Sequence, residues 1–148
     1  MNADKFLEII DNTPLVSIDI ILRNSEGHIL LGKRVNKPAE GFWFVPGGRI
    51  RKNETLKAAM QRISLVELGF EIDLHHAEMI GAFDHIYDDN FNATDGVNTH
   101  YVALGYNVKM DSQNKVKNDS QHSDMVWMSE SELINSEHVH SNTKAYFL

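Results

Sequence analysis

The clearest periodic pattern in the chain lies between residues 54 and 68, a stretch without glycine or proline. On a helix of 100° per residue, its apolar side chains form one stripe about 120° wide. The members of that stripe are Leu56, Ala59, Met60, Ile63, Val66 and Phe70. Asn53 is the predicted N-cap of this helix, and Gly69 is predicted to end it.

Glu67 falls inside this apolar stripe. An ionised carboxylate among apolar neighbours costs folding free energy unless a cation compensates it or a proton neutralises it. A basic side chain and a bound metal ion both meet this requirement. Helix periodicity alone leaves both explanations open.

Strands are predicted on both sides of the long helix by alternation of apolar and polar positions. In residues 15–24, Val16, Ile18, Ile20 and Leu22 share one face, and Asp19 points to the other. A turn at residues 25–27 leads into the return strand at residues 28–34. Further strands are predicted at residues 70–75, 77–88, 99–110 and 125–128.

Shorter helices are predicted at residues 4–11, 130–135 and 141–148. Ser129 and Glu132 have the spacing of a capping box at the start of the second of these. Strands first, one long helix within the strand order and helices at the end indicate an α/β or α+β layer arrangement. The 148 residues are expected to form one domain.

Composition and charge narrow the possible functions. The chain has no cysteine, which excludes disulfides, zinc–thiolate sites and thiol catalysis. The net charge of −7 argues against general binding to nucleic acid or to an anionic membrane. The first ten residues resemble neither a signal peptide nor a spanning helix, so a cytoplasmic location is expected.

Basic residues are concentrated between positions 33 and 52, where Glu40 is the one acid. They are Lys33, Arg34, Lys37, Arg49, Arg51 and Lys52. A local basic region on an acidic chain suits a small phosphorylated ligand. The alternative is an ordinary solvated surface.

Residues 47–70 resemble the signature of the Nudix hydrolases. The positions that match at the required spacing are Gly48, Glu54, Arg62, Glu67, Gly69 and Phe70. Ile63 and Val66 stand at two positions where that family usually has Glu. The resemblance implies the Nudix fold, a mixed β-sheet sandwiched between helices.

Most of the chain also resembles one divergent Nudix branch, the GDP-mannose mannosyl hydrolases. The matching stretches are residues 13–21, 30–50, 85–91, 99–106, 121–122 and 141–148. The features typical of the branch are the missing Glu pair, the retained Glu67 and a Gln-His pair in a late loop. The resemblance implies hydrolysis of GDP-mannose or GDP-glucose to GDP and free sugar, by attack of water at the anomeric carbon with inversion.

The resemblance also implies a metal site made by the Gly47 carbonyl, Glu67 and Gln121. These are hard oxygen ligands, which suit Mg²⁺, with Mn²⁺ as an alternative. A metal ion at this place would compensate the charge of Glu67. Without the resemblance, Gln121 would be read as a surface loop residue.

His122 corresponds to the general base that takes a proton from the attacking water, and a histidine with an ordinary pKa is suited to that task. Arg34 corresponds to a catalytic residue that neutralises the leaving diphosphate. Otherwise His122 would be a solvated loop histidine. The substrate-binding residues implied by the resemblance are Phe6, Asp19, Arg34, Arg49, His85 and Tyr101.

Several of these roles have structural alternatives. Asp19 could serve only to orient Arg34, and His85 and Tyr101 could pack on the sheet. Phe6 could be a packing residue, or could reach the nucleotide from the partner subunit of the homodimer that the resemblance implies. A nucleotide sugar is the expected ligand, with no nucleic-acid or membrane partner.

Two other functions remain open at this stage. A Nudix diphosphatase would attack phosphorus and yield GMP and mannose 1-phosphate. A nucleotide-sugar sensor would bind the ligand without turnover.

Overall fold

Helices cover both faces of one mixed sheet in the computed structural model, which describes residues 1–117 and 124–148. The elements, in chain order, are α1 (Ala3–Asn12), β1 (Leu15–Arg23), β2 (Ile29–Lys33), β3 (Trp43–Phe44), β4 (Gly47–Arg49), α2 (Leu56–Leu68), β5 (Ala77–Tyr87), β6 (Thr99–Lys109), β7 (Met125–Met128), α3 (Glu130–Asn135) and α4 (Ser141–Lys144). Short 3₁₀ turns occupy Leu74–His76 and Ala145–Phe147. None of these helices has the length and apolar character needed to cross a membrane.

Strand β1 is the centre of the sheet. It pairs in parallel with β6 and antiparallel with β2 and β4, in a sheet whose main order is β3-β2-β1-β6-β5. Strand β7 pairs with β2. Asp19 in β1 therefore has two register partners, Gly47 in β4 and Gly105 in β6. A carboxylate near the middle of the sheet is thus flanked by two residues without side chains.

The two faces of the sheet are packed by different helices. On one face, Ala59, Met60 and Ile63 of α2 pack with Ile18 and the other core residues of β1 and β6. On the opposite face, Ile21 and Leu31 pack with Leu133 of α3. This arrangement confirms the predicted mixed sheet between helices and the α+β class.

The start of helix α2 differs from the prediction. Thr55 is the N-cap and accepts a hydrogen bond from Ala58 N at 3.1 Å. Asn53 instead has a φ of 68°, because residues 51–54 form a turn in which Glu54 N donates to Arg51 O at 3.1 Å. The predicted end is confirmed, since Gly69 adopts the left-handed conformation with a φ of 87°.

The predicted apolar stripe of α2 is confirmed only for its central residues. Ala59, Met60 and Ile63 are buried, but Leu56 and Val66 are 39% and 47% exposed. The difference arises because Ser64 and Leu68 also face the core. The helix is therefore rotated relative to the predicted stripe.

The strand predicted at residues 70–75 is wrong. Ile72 N donates to the buried hydroxyl of Ser64 at 2.8 Å instead of joining a ladder. Asp73 then caps the following 3₁₀ turn by accepting a hydrogen bond from His75 N. The other predicted strands and helices are confirmed, with the last predicted helix divided into α4 and a 3₁₀ turn.

Candidate active site

A cavity of about 450 Å³ lies between the central strands and the C-terminal half of α2. Strands β1, β2, β4, β5 and β6 all contribute residues to its wall. The structure brings together seven of the residues singled out from the sequence, namely Asp19, Arg34, Gly47, Arg49, Glu67, His85 and Tyr101. Their roles stay predictions, and the structure places all seven around one cavity.

Phe6 does not line this cavity directly. Its ring lies beneath the guanidinium of Arg49, 4.6 Å from the guanidinium carbon, and packs against Phe91 at 5.1 Å. Both contacts lie within one chain. Phe6 therefore reaches the cavity through Arg49.

Gln121 and His122 lie outside the described residues. The described residues on either side of them attach next to the cavity. Lys117 N donates to the carbonyl of Leu68, the neighbour of Glu67, at 2.8 Å. Asp124 O accepts from Lys33 N, the neighbour of Arg34, at 3.1 Å.

Arg34 and Arg49 supply the positive charge of the cavity. Within the described part of the chain, neither guanidinium forms an ion pair with a carboxylate. Arg34 lies over the ring of Phe44 at 5.3 Å, and Arg49 lies over Phe6. Aromatic faces hold a guanidinium without neutralising it, so both groups keep their charge available for an anion.

The turn that follows Arg49 is held by an internal ion pair. Arg62 donates to Glu54 twice, from Nε at 2.7 Å and from Nη2 at 2.9 Å. The same Nη2 donates to the carbonyl of Arg49 at 2.8 Å, and Arg51 N donates to Glu54 at 3.0 Å. The hydrogen bonds from Arg62 lower the pKa of Glu54 to about 2, so two residues of the Nudix signature build the turn itself.

Asp19 is placed very differently. Its Oδ2 accepts a hydrogen bond from the phenol of Tyr146 at 2.7 Å and lies 3.7 Å from Nδ1 of His85. Burial raises the pKa of Asp19 to about 6, although the Tyr146 hydrogen bond and the charge of Arg34 both oppose that rise. The carboxylate is therefore held in the cavity by a neutral donor.

The imidazole of His85 is neutral at neutral pH. Burial is the main cause that lowers the pKa of His85 to about 4, and the nearby His140 lowers it further. His85 and Asp19 thus do not form an ion pair at neutral pH. Burial also raises the pKa of Tyr101 and brings that of Tyr87 to about 12, so both phenols remain protonated donors on the cavity wall.

Two described residues of the cavity carry oxygen atoms of the kind that bind a divalent cation. Gly47 and Glu67 line the same cavity, and backbone carbonyl and carboxylate oxygens are ligands that Mg²⁺ prefers. A Cβ at Gly47 would collide with the Asp19 carboxylate, so the close approach of β4 to β1 requires glycine there. In residues 1–117 and 124–148, no group of three His, Asp or Glu side chains is arranged to bind a metal.

Sequence reasoning missed Tyr146 and Phe44 as residues of this site. Tyr146 lies in a stretch that resembles the mannosyl hydrolase branch, but its apolar neighbours made it a packing candidate only. Phe44 lies in the aromatic run of residues 42–44, and nothing in that run signals a contact with Arg34. Only the fold shows which polar groups these rings meet.

The cavity on one face of the mixed sheet carries two guanidinium groups without a described carboxylate partner, and such a pair suits an anionic ligand. The NUDIX domain model matches residues 13–148, and the chain belongs to the Nudix hydrolase family. Members of this family act on small-molecule nucleotide derivatives, generally with divalent metals such as Mg²⁺.

Comparison with known proteins finds relatives in sequence. The low-salt glycan biosynthesis protein Agl8 of Haloferax volcanii is 42% identical over 123 residues, which cover 82% of this chain and 75% of that protein. This similarity extends over most of both chains.

Solved structures of the same fold include a MutT NUDIX hydrolase and the NUDIX domain of NrtR. The MutT NUDIX hydrolase from Burkholderia pseudomallei has a TM-score of 0.71 and 24% identity, covering 91% of this chain and 96% of that one. The NUDIX domain of Shewanella oneidensis NrtR, solved with ADP ribose, has a TM-score of 0.66 and 18% identity, covering 99% and 96%. At these identities the similarity establishes the fold.

Proposed function

We propose that this protein hydrolyses a GDP-sugar, GDP-mannose or GDP-glucose, by attack of water at the anomeric carbon. The products are GDP and the free sugar, with inversion at that carbon. The observation that carries the proposal is the pair of guanidinium groups of Arg34 and Arg49, which face one cavity without a described carboxylate partner. A diphosphate is the chemical group that such a pair fits.

The arginine pair supports a diphosphate rather than a single carboxylate ligand. Each guanidinium presents forked donors that match two phosphate oxygens. Arg34 approaches from the end of β2 and Arg49 from β4. Charge on the leaving diphosphate is thereby stabilised as the bond to the sugar breaks.

Attack of water at the anomeric carbon suits a chain that keeps Glu67 but lacks the usual carboxylates at positions 63 and 66. Water forms the new bond to the anomeric carbon, the bond from that carbon to the diphosphate oxygen breaks, and GDP leaves with the electron pair. His122 takes the proton of the water in this proposal. A signature helix with Ile63 and Val66 in place of two carboxylates has no second base for attack at phosphorus.

Asp19 is assigned to the sugar side of the reaction. An inverting displacement at an anomeric carbon develops positive charge at that carbon. A carboxylate in the same cavity as the arginines can stabilise that charge. Phe6, His85 and Tyr101 are assigned to substrate binding with it.

A divalent cation belongs to the proposal. Gly47, Glu67 and Gln121 would hold Mg²⁺ or Mn²⁺, and the ion would neutralise charge on the diphosphate leaving group. The location of Gly47 and Glu67 on one cavity wall supports the first two assignments.

A sugar-containing ligand is also supported by the similarity to Agl8, whose name links that protein to glycan biosynthesis. The relation covers 82% of this chain. A panel of GDP- and ADP-sugars, with products identified by NMR, determines whether mannose or glucose is the preferred sugar. That panel also reports which anomer of the sugar forms first.

Hydrolysis in ¹⁸O-labelled water tests the site of attack. Attack at carbon leaves the nucleotide product, GDP, without label. Label in GMP or in sugar 1-phosphate would instead establish a diphosphatase. Binding of the GDP-sugar in the presence of Mg²⁺ without any product would establish a sensor.

The role of His122 is tested by His122→Gln, with His138→Gln as the matched control. His138 is exposed and does not line the cavity. We expect His122→Gln to bind the GDP-sugar but to lose about 10²-fold or more of its turnover. Unchanged turnover would remove His122 as the base.

The proposal includes a homodimer, as the resemblance implies. Light scattering after size exclusion measures the mass in solution. A monomer at micromolar concentration would remove the dimer from the proposal.

A further inference from the structure

Tyr146 reaches the Asp19 carboxylate from the last turn of the chain. It belongs to the 3₁₀ turn Ala145–Phe147, and its ring makes edge contacts with Phe83 at 4.6 Å and His85 at 5.4 Å. Both partners lie on β5. The ring is therefore fixed by packing on the same sheet face that carries Asp19.

A glycine makes the path of this ring possible. Gly105 is the register partner of Asp19 on β6, and a Cβ there would lie 2.6 Å from Cε1 of Tyr146. Any larger residue would push the ring away from Asp19. The space left by Gly105 thus allows a side chain from the chain end to reach the middle of β1.

The two oxygens of Asp19 have different neighbours. Oδ2 accepts the hydrogen bond from the Tyr146 phenol at 2.7 Å. Oδ1 faces Gly47 on β4, where a Cβ would collide with it. One oxygen is anchored, and the other is directed toward the strand that carries a predicted metal ligand.

From this geometry we infer that Tyr146 is a positioning residue, whose phenol fixes the orientation of the Asp19 carboxylate in the cavity. The inference rests on the proposed function of that cavity. Tyr146 itself does not line the cavity and acts through Asp19. Its hydroxyl, and not its ring, is the group that matters.

The chemistry of the pair supports a directional role. Burial and the nearby Asp19 raise the pKa of Tyr146, so the phenol stays protonated and donates throughout the working pH range. A neutral donor orients a carboxylate without cancelling its charge. An arginine at the same place would fix Asp19 equally well but would neutralise it.

The test removes the hydroxyl alone, with Tyr146→Phe measured in the wild-type and the Asp19→Ala backgrounds. Tyr106→Phe is the control, because Tyr106 is a buried tyrosine of β6 that packs in the core on the α2 side. For each protein, kcat and KM for the GDP-sugar are determined in Mg²⁺. Thermal unfolding is recorded for all of them.

We expect Tyr146→Phe to lower kcat about tenfold, with KM changed less than about twofold. KM is preserved because Arg34 and Arg49 are untouched. In the Asp19→Ala background the same substitution should change kcat by less than about twofold, because no carboxylate remains to be oriented. Tyr106→Phe should keep the wild-type kcat.

Two kinetic results would overturn the inference. One is a kcat for Tyr146→Phe within about twofold of the wild type. The other is an equal loss in both backgrounds, which would mean that the hydroxyl acts independently of Asp19.

A readout without turnover separates this inference from the proposed function. With ¹³C-labelled aspartate, the Cγ resonance of Asp19 is assigned by its absence in Asp19→Asn. A shift of that resonance in Tyr146→Phe supports the inference, and an unchanged resonance overturns it, even if the wild type hydrolyses no GDP-sugar. Such inactivity would by itself remove the proposed function, and if Asp19→Ala does not fold, this measurement alone decides.

Discussion

Glu54 and Asp19 are two carboxylates of one region whose environments shift their pKa values in opposite directions. Their side chains are similarly shielded, at 14% and 18% exposure. Glu54 lies in a turn and is bonded twice by Arg62, and its pKa falls to about 2. Asp19 lies within the sheet with a phenol as its donor, and its pKa rises to about 6.

The difference separates a residue that builds the site from one that is kept for chemistry. Glu54 uses its charge to hold the turn that follows Arg49, and the charge of Arg62 compensates it. The charge of Asp19 is costly to the fold and is not compensated by an ion pair among the described residues. Residues that cost stability are typical of functional sites.

The strongest test of this contrast is Asp19→Asn, which keeps the shape and removes the charge. We expect kcat for the GDP-sugar to fall about 10²-fold, because positive charge at the anomeric carbon loses its stabilising partner. Glu26→Gln is the control, since Glu26 is an exposed carboxylate outside the cavity. A kcat near that of the wild type would place Asp19 outside the chemistry.

Glu54→Gln tests the other carboxylate through stability. We expect the free energy of unfolding at pH 7 to fall by about 2 kcal/mol, because Arg62 loses a bidentate ion pair. Urea unfolding measures it. Glu130→Gln is the control, because the Arg23–Glu130 pair has a 2.8 Å contact but leaves Glu130 51% exposed, and it should cost less than about 1 kcal/mol. Equal losses of unfolding free energy would show that the Arg62–Glu54 pair stabilises the fold no more than the Arg23–Glu130 pair does.

The pH dependence of stability should have opposite signs for the two substitutions. The folded-state pKa of Glu54 is about 2, below its ordinary 4.5, so its contribution is present above pH 4.5 and is lost as the pH falls through 2. The destabilisation by Glu54→Gln should therefore shrink as the pH falls through this window. Urea unfolding with a chelator present measures it.

For Asp19 the folded-state pKa is about 6, above its ordinary 3.8. Its stabilising contribution is present below pH 3.8 and is lost as the pH rises through 6. Asp19→Asn should therefore gain stability relative to the wild type as the pH rises through this window. His85 is present in both proteins, and the raised pKa of Tyr146 keeps its phenol protonated in this window. A difference that shrinks with rising pH would contradict the assignment of the buried charge.

The sequence predicts features whose causes lie within a few residues. The end of α2 at Gly69 and the capping box at Ser129 depend on local backbone conformation. These were confirmed. The predicted N-cap of α2, Asn53, was wrong. Glu54 bonds to Arg62, eight positions further along the chain, and Thr55 is the cap.

The site is harder to predict from the sequence, because its contacts join residues that are far apart in the chain. The Tyr146–Asp19 hydrogen bond spans 127 positions, and it depends on the register that places Gly105 beside Asp19. No periodicity contains that information. The resemblance to a family supplied the candidate residues, and the fold then brought seven of them to one cavity.

The smallest expected effect concerns Arg34. An aromatic ring holds its guanidinium, whereas a carboxylate holds that of Arg62. Arg34 lies over Phe44, whose ring also stacks on His140 at 5.0 Å with 20° between the rings and contacts Tyr87 at 6.1 Å. We expect Phe44→Leu to raise KM about three- to fivefold with little change in kcat, because a cation–π contact contributes about 0.5–1 kcal/mol to placing the guanidinium.

Phe42→Leu is the matched control for this prediction. Phe42 also contacts His140, edge-on at 5.2 Å, but it does not line the cavity. Its substitution should leave KM unchanged. If both substitutions raised KM equally, His140 packing rather than the Arg34–Phe44 contact would hold the anion-binding side of the cavity. In that case the end of β2, and not the ring of Phe44, would fix the position of Arg34.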